Sequence, residues 1–281
     1  MGLRINTNVA SINALTNTSK RTDAVNKSLE KLGSGERINK ASDDAAGLAI
    51  SEKFKAAIRG FRMAKRTALD GISMIQTAEG GLNEIGNILT RLRELSVQAA
   101  SDTIGPQERQ FLEMEYGNLT QEVERIALAT DFNGVSLLQG KAGEFVEGDV
   151  EFQVGIKNRA AIDRISFKPD QSDATVDALG LTGTGVKIKS DAQNSIGKID
   201  DAIMNVSEMR ARFGALQNRL QSTINNLSVS VENQEAANSR VRDTDVAIVS
   251  AKLARDTVLQ QASASVLAQA NTSSQLALKL L

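Results

Sequence analysis

Residues 215–281, ALQNRLQSTINNLSVSVENQEAANSRVRDTDVAIVSAKLARDTVLQQASASVLAQANTSSQLALKLL, run for 67 positions without glycine or proline, and that absence decides the fold. In a helix interior glycine costs about 1 kcal/mol and proline about 3 kcal/mol relative to alanine, so the stretch predicts uninterrupted helix. A heptad frame enters it from Ile199 and continues through Ile203, Val206, Phe213, Leu220, Ile224, Leu227, Val231, Val241, Ile248, Leu259, Ala262, Val266, Leu276 and Leu280. Spacings of three and four make this a coiled-coil stripe. Gln234, Asn238, Asp245, Lys252, Arg255, Gln269 and Ser273 fall on the same frame. These polar residues leave the stripe incomplete without partners.

The other chain end carries a similar pattern. Ile5, Val9, Ile12 and Leu15, then Val25, Leu29 and Leu32, give an amphipathic helix that Gly33-Ser34-Gly35 terminates. Ser42 is expected to cap the next helix, with Asp43 and Asp44 facing its positive dipole end. That helix is long: from Phe54, Ile58 and Phe61 through Leu89, Leu92 and Leu95, helical spacing holds to about Ala100 despite Gly80-Gly81. Pro106 sits where a helix start tolerates it, and Phe111, Leu119, Val123 and Ile126 mark a third pass. After Asn133-Gly134 the period drops to two. Val150, Phe152, Val154 and Ile156, then Ile165 and Phe167, then Val186 and Ile188, predict strands in small hairpins. Pro169–Gly185, rich in Asp, Ser, Thr and Gly, reads as exposed loop.

Every Phe and the single Tyr116 lie between Phe54 and Phe213. The ends, built of aliphatic and alanine faces alone, bury too little surface to offset their ordering entropy. The middle is expected to fold alone and the ends only against a partner. This is the pattern of a structural subunit that assembles with copies of itself.

Composition narrows the chemistry. The chain has no Cys, His or Trp, which removes the commonest general base, the commonest zinc ligands and any thiol nucleophile. No cofactor or metal site is expected. With 33 basic and 34 acidic residues the net charge is −1, no footprint for nucleic acid or an anionic membrane. No stretch approaches the ~20 apolar residues of a membrane helix, and the N-terminus lacks a basic region followed by an apolar one. Asp43-Asp44 and Asp200-Asp201 are adjacent pairs that diverge on a helix, so neither makes a converging acid–base site. Gly180, Gly183 and Gly185 do not follow G-x-G-x-x-G, and Gly197-Lys198 is followed by Ile199 where a phosphate loop needs Ser or Thr. The sequons at Asn17, Asn118, Asn205 and Asn226 lie inside helical patterns and read as chance matches. Lys53, Lys55, Arg59, Arg62, Lys65 and Arg66 interleave with Phe54, Ile58 and Phe61, the polar side of an amphipathic helix.

Longer motifs point to a family. Arg4-Ile5-Asn6-Thr7-Asn8-Val9-Ala10-Ser11, Leu32-Gly33-Ser34-Gly35 with Arg37-Ile38-Asn39, and Asp43-Asp44-Ala45-Ala46-Gly47-Leu48-Ala49-Ile50 resemble the start of bacterial flagellin. Thr130-Asp131-Phe132-Asn133-Gly134 continues the likeness, and Ser239-Arg240-Val241 with Asp243 and Asp245, then Val266-Leu267-Ala268-Gln269-Ala270-Asn271, resemble its close. Only about 141–190 matches weakly. Val246 stands where flagellins often have an aromatic, and the final Leu281 where an arginine is frequent.

The resemblance implies a mainly α fold: a long helical rod and terminal coiled-coil helices formed by both ends, with a small β-hairpin region. It divides the chain into 1–42 and 241–281, the halves of an inner coiled-coil domain, and a rod of 43–240 with hairpins at about 140–190. It implies no inserted outer domain. It further implies a filament subunit for motility, secreted through the flagellar type III system to an extracellular filament, with an export chaperone and the filament cap and junction proteins as partners. Self-assembly would fall to Ile5, Val9, Ile12, Leu15, Ile248, Leu259, Val266, Leu276 and Leu280. Arg91, Leu95 and Glu115, with Glu94 and Gln98 nearby, match positions through which many flagellins engage Toll-like receptor 5, and equally suit plain contacts between stacked subunits. A junction or cap-type protein of low copy number is the alternative. Known zinc-protease insertions need His-Glu-x-x-His, which a chain without His cannot supply.

Overall fold

The computed structural model describes residues 7–141 and 148–279, with side-chain detail as far as 272. The described chain is mainly α and forms two compact units, Met1–Ile58 with Asn233–Leu281, and Arg59–Glu232.

The larger unit is built on three helices. α2 (Ala45–Ala99) and α3 (Pro106–Ala129) are joined by a short turn, and α5 (Lys189–Arg242) runs antiparallel to α2. Cross-links fix that direction: Arg93 Nε donates to Asp200 Oδ1 at 2.6 Å, while Gly71 lies against Leu220. α1 (Val9–Ser34) belongs to the smaller unit. Along α2 the fully buried residues Ala68, Ile75, Leu82, Ile85, Leu89, Leu92, Leu95 and Ala99 keep one face. Their spacing of three, four and seven is the apolar stripe of a helix packed on neighbours. Tyr116, Val123 and Ala127 of α3 and Ile199, Ala202, Val206, Phe213, Leu220 and Ile224 of α5 complete this core. The frame read from Ile199 to Leu227 is thus the buried stripe of α5.

Gly81 does not weaken α2. A Cβ there would stand 2.7 Å from Thr130 Oγ1 and 2.9 Å from Leu138 Cδ1, so its missing side chain admits the segment that follows α3. That segment holds β1 (Asp131–Phe132) and β2 (Val135–Ser136). Asn133 and Gly134, both at positive φ, make the two-residue turn between them.

β3 (Val150–Gln153) pairs antiparallel with β4 (Arg164–Phe167), in the register Val150↔Phe167 and Phe152↔Ile165. Phe152, Ile165 and Phe167 point to the core, and Phe167 meets the Phe213 ring with centroids 5.4 Å apart. α4 (Ala160–Asp163) bridges the strands. Its Asp163 carboxylate accepts from the Arg159 backbone N–H at 3.1 Å and from Arg159 Nε at 3.0 Å. The Arg159 side chain, above all, holds this carboxyl below its usual range. A carboxylate depressed in the fold stabilises it above the unfolded value of about 3.9, and that contribution is lost as pH falls through the folded value. The β3–β4 hairpin should therefore loosen on acidification below about pH 4, and Arg159→Ala should flatten that response. Amide exchange at Phe152 and Ile165 measured against pH checks it; rates indifferent to Arg159→Ala would contradict it.

Four local expectations need correction. The run after Gly214 is broken: α5 stops at Arg242 and α6 starts at Val246 (Val246–Lys279). Asp245 Oδ1 caps the new helix by accepting the Ile248 N–H at 3.0 Å. Ser42 is not the cap of α2; Asp44 Oδ1 accepts the Gly47 N–H at 2.9 Å, and Asp43 instead receives the Asn39 and Lys40 N–H groups. Val186 and Ile188 form no strand. Val186 is buried with its N–H donated to Glu113 Oε2, and Ile188 is exposed. Nor is 169–185 simply exposed, because Ala174, Leu179 and Leu181 are buried and the Val176 N–H is taken by Glu124 Oε2 at 2.8 Å. Two glutamates of α3 thus replace the strand partner this segment lacks.

Candidate functional site

The smaller unit carries most of the residues singled out for assembly. α1 and α6 pack as an antiparallel pair. Asn8 Nδ2 donates to the Ala270 carbonyl at 2.9 Å, Ser11 Oγ to Asn271 Oδ1 at 2.7 Å, and Gln260 Nε2 to Thr22 Oγ1 at 2.9 Å. Gly35, left-handed at φ 70°, ends α1 as a residue without Cβ can. There the chain meets the α5–α6 break: Thr244 N–H donates to the Gly35 carbonyl at 2.9 Å and Arg37 N–H to the Arg242 carbonyl at 2.6 Å. The Arg242 guanidinium, largely covered, pairs with Glu36 at 2.8 Å and Glu52 at 2.7 Å. Glu36 first, then Glu52, push it further up, so it stays a cation. This junction aligns the pair.

Between the two helices small and polar side chains outnumber the aliphatics. α1 turns Ser11, Ala14, Thr18, Thr22, Val25, Ser28 and Leu32 inward; α6 turns Val249, Leu253, Asp256, Gln260, Ser263, Leu267 and Ala270. The α6 frame read from sequence lies one residue away from this seam. The break at Asp243–Asp245 is the reason: a frame carried through it as continuous helix is out of phase beyond it. A second set of aliphatics consequently faces outward, while Val25, Leu32, Val249, Leu253 and Leu267 face the seam. Val9, Ile12, Leu15, Ile248 and Val266 are all more than half exposed, Ile248 at 68%, and Leu259 is exposed at 36%. Covering the exposed part of each such side chain is worth on the order of 1 kcal/mol. Ile5 and Leu280 lie outside the described residues, as does the Leu276 side chain.

The second group sits in the larger unit. Arg91 Nε and Nη2 donate to Glu115 Oε1 at 2.9 and 2.7 Å, and Arg91 Nη1 to Glu94 Oε2 at 3.0 Å. Glu115 is the main reason the Arg91 guanidinium is pushed up, followed by Glu94. With exposed Gln98 these form one solvated face across α2 and α3, beside exposed Phe111 and Met114. Leu95 does not join them: it is 0% exposed, within the core. Phe111, read as a marker of helical packing, is instead 64% exposed.

Sequence reasoning missed Arg21, Glu36, Glu52, Arg242 and Asp256. The one available signal was Asp243-Thr244-Asp245, a run of helix-capping types that restarts the helical phase. Among the described residues no three metal-ligating side chains converge, and no helix is long and apolar enough to cross a membrane.

Comparison with known proteins agrees with this architecture. Residues 5–142 match the family described as the bacterial flagellin N-terminal helical region, and residues 196–281 the bacterial flagellin C-terminal helical region. The chain is 43% identical over 277 residues to a flagellin of Halalkalibacterium halodurans, covering 99% of both proteins. It is 42% identical over 287 residues to the flagellar filament core protein flaB2 of Brachyspira hyodysenteriae, again covering 99% of both. Among solved structures, Bacillus cereus flagellin superposes with a TM-score of 0.51 at 33% identity, over 62% of this chain and 94% of that one.

Proposed function

This chain belongs to the bacterial flagellin family, and from that premise we propose that it polymerises into a flagellar filament through the outward aliphatic stripes of α1 and α6. It is a structural subunit and not an enzyme. The observation that carries the reading is a second aliphatic stripe on the terminal pair: Val9, Ile12, Leu15, Ile248 and Val266 stay more than half exposed, outside a seam rich in small and polar side chains. A helix pair meant to stand alone buries its large aliphatics; one that displays them needs neighbours to cover them. A repeated contact of unlike surfaces, which does not close on itself, then grows an open helical polymer. Ile5, Leu276 and Leu280 are assigned to self-assembly with the stripes, 1–42 and 241–281 to the two halves of an inner coiled-coil domain, and 43–240 to a helical rod domain.

The same family reading implies secretion through the flagellar type III apparatus to an extracellular filament that serves motility, with an export chaperone on the C-terminal helix and cap and junction proteins at the filament ends. Electron microscopy of the purified chain under polymerising conditions tests the assembly reading. The parent should form filaments and Val266→Asp should not, with unit 59–232 unfolding as before; filaments of normal length from Val266→Asp would sink it. A low-copy junction or cap-type role would show instead as a substoichiometric band in sheared flagella.

The Arg91–Glu94–Glu115 face supports recognition by Toll-like receptor 5, with Gln98 at its edge and Leu95 holding the helix from beneath. Arg91→Ala should reduce receptor signalling about tenfold or more, as loss of an interface arginine does, and leave polymer formation intact. Unchanged signalling in reporter cells would remove the receptor from the account.

A further inference from the structure

Asp256 sits at the middle of the α1–α6 seam and is 1% exposed. Its Oδ1 lies 3.6 Å from Arg21 Nη1 and 3.9 Å from Arg255 Nε, both on arginines that remain substantially solvated. Its Oδ2 is buried with no hydrogen-bond partner. Burial removes the carboxylate from water, and two long contacts to solvated cations return little of that loss. The position therefore weakens the pair it belongs to. The surroundings do not offset it: the adjoining seam residues are Leu253, Thr257 and Gln260 on α6 and Thr22 and Val25 on α1, none of which donates to Asp256 Oδ2, while Thr244 Oγ1 at the junction also lacks a partner.

We propose that Asp256 is a built-in brake on terminal pairing, setting the two ends of a free subunit close to the balance between paired and unpaired. The outward stripes then exist as a continuous surface only when a neighbouring copy contributes the missing stabilisation. This rests on the assembly reading above and adds its control: the ordering cost of the pair is left for the docking step, so subunits do not associate below a threshold concentration. An apolar side chain at 256 removes the buried charge, preorganises the stripe and lowers that threshold.

Full-length parent, Asp256→Leu and Asp256→Asn chains separate the possibilities by amide exchange at dilutions where each is monomeric, and by sedimentation across a concentration series. Asp256→Leu should raise protection of 9–34 and 249–270 about tenfold or more, leave 68–99 unchanged, and lower the polymerisation threshold about tenfold. Asp256→Asn, which keeps the shape without the charge, should move both readouts in the same direction by less. Protection in Asp256→Leu equal to or below the parent's, or a raised threshold, would overturn the proposal. A parent chain that forms no polymer at any concentration would instead overturn the assembly reading, and the exchange comparison would still decide the role of Asp256.

Discussion

Deleting residues 248–281 abolishes polymer formation and removes more helix than the deleted residues account for. α6 supplies one of the two outward stripes, so its loss takes away Ile248, Leu259 and Val266 together. It also strips α1 of the helix it packs against. A lone 26-residue helix that has lost the helix facing Ser11, Ala14, Thr18, Thr22, Val25, Ser28 and Leu32 has little tertiary packing to hold it, and such packing supplies most helical stability in proteins. The circular dichroism loss should therefore include α1. Unit 59–232 keeps its own core, from Ala68 to Leu220, and should still unfold cooperatively. Polymers of normal appearance by electron microscopy, or helix loss limited to the deleted segment, would count against this.

The second large effect falls inside that unit. Phe213 is 3% exposed and holds Phe167 of β4 against α5. Phe213→Ala removes both the ring's burial and the anchor of the β3–β4 hairpin, which should cost about 3–5 kcal/mol. For a unit of this size that corresponds to a fall in Tm of about 10 °C or more. Thermal unfolding followed at the single Tyr116, buried in the same core, reads it directly. A shift of about 2 °C or less would mean the hairpin packs independently of α5.

Much of the fold was legible because the signals were local. α2 shows its buried face as Leu82, Ile85, Leu89, Leu92 and Leu95, and Asn133-Gly134 names its own turn. What escaped was decided by tertiary contacts. Three cap-competent residues stand together at Ser42, Asp43 and Asp44, and the helix starts after the last of them, where Asp44 meets the Gly47 N–H. Val186 alternates like a strand residue, yet a glutamate of α3 took its N–H.

The candidate site was legible as a set of residues and not as a face. Ile248, Leu259 and Val266 fall on the heptad frame and Val9, Ile12 and Leu15 on the amphipathic stripe of α1, and only the packing shows that all six lie outside the α1–α6 seam. No glycine or proline marks the break at Asp243–Asp245, so the capping types of that run are the one sign of the phase change. Within the Arg91 group, the carboxylate partners could be matched from sequence, while the burial of Leu95 follows only from the packing of α2 in the core.

The central claim is that neighbouring copies cover a stripe the single subunit leaves bare. A chain without cysteine allows this to be measured with one thiol at a time, by following maleimide labelling of Leu15→Cys and of Val266→Cys in the free subunit and in the sedimented polymer. Both positions should label rapidly when free and become protected on assembly. Equal labelling in the two states at both positions would contradict the account.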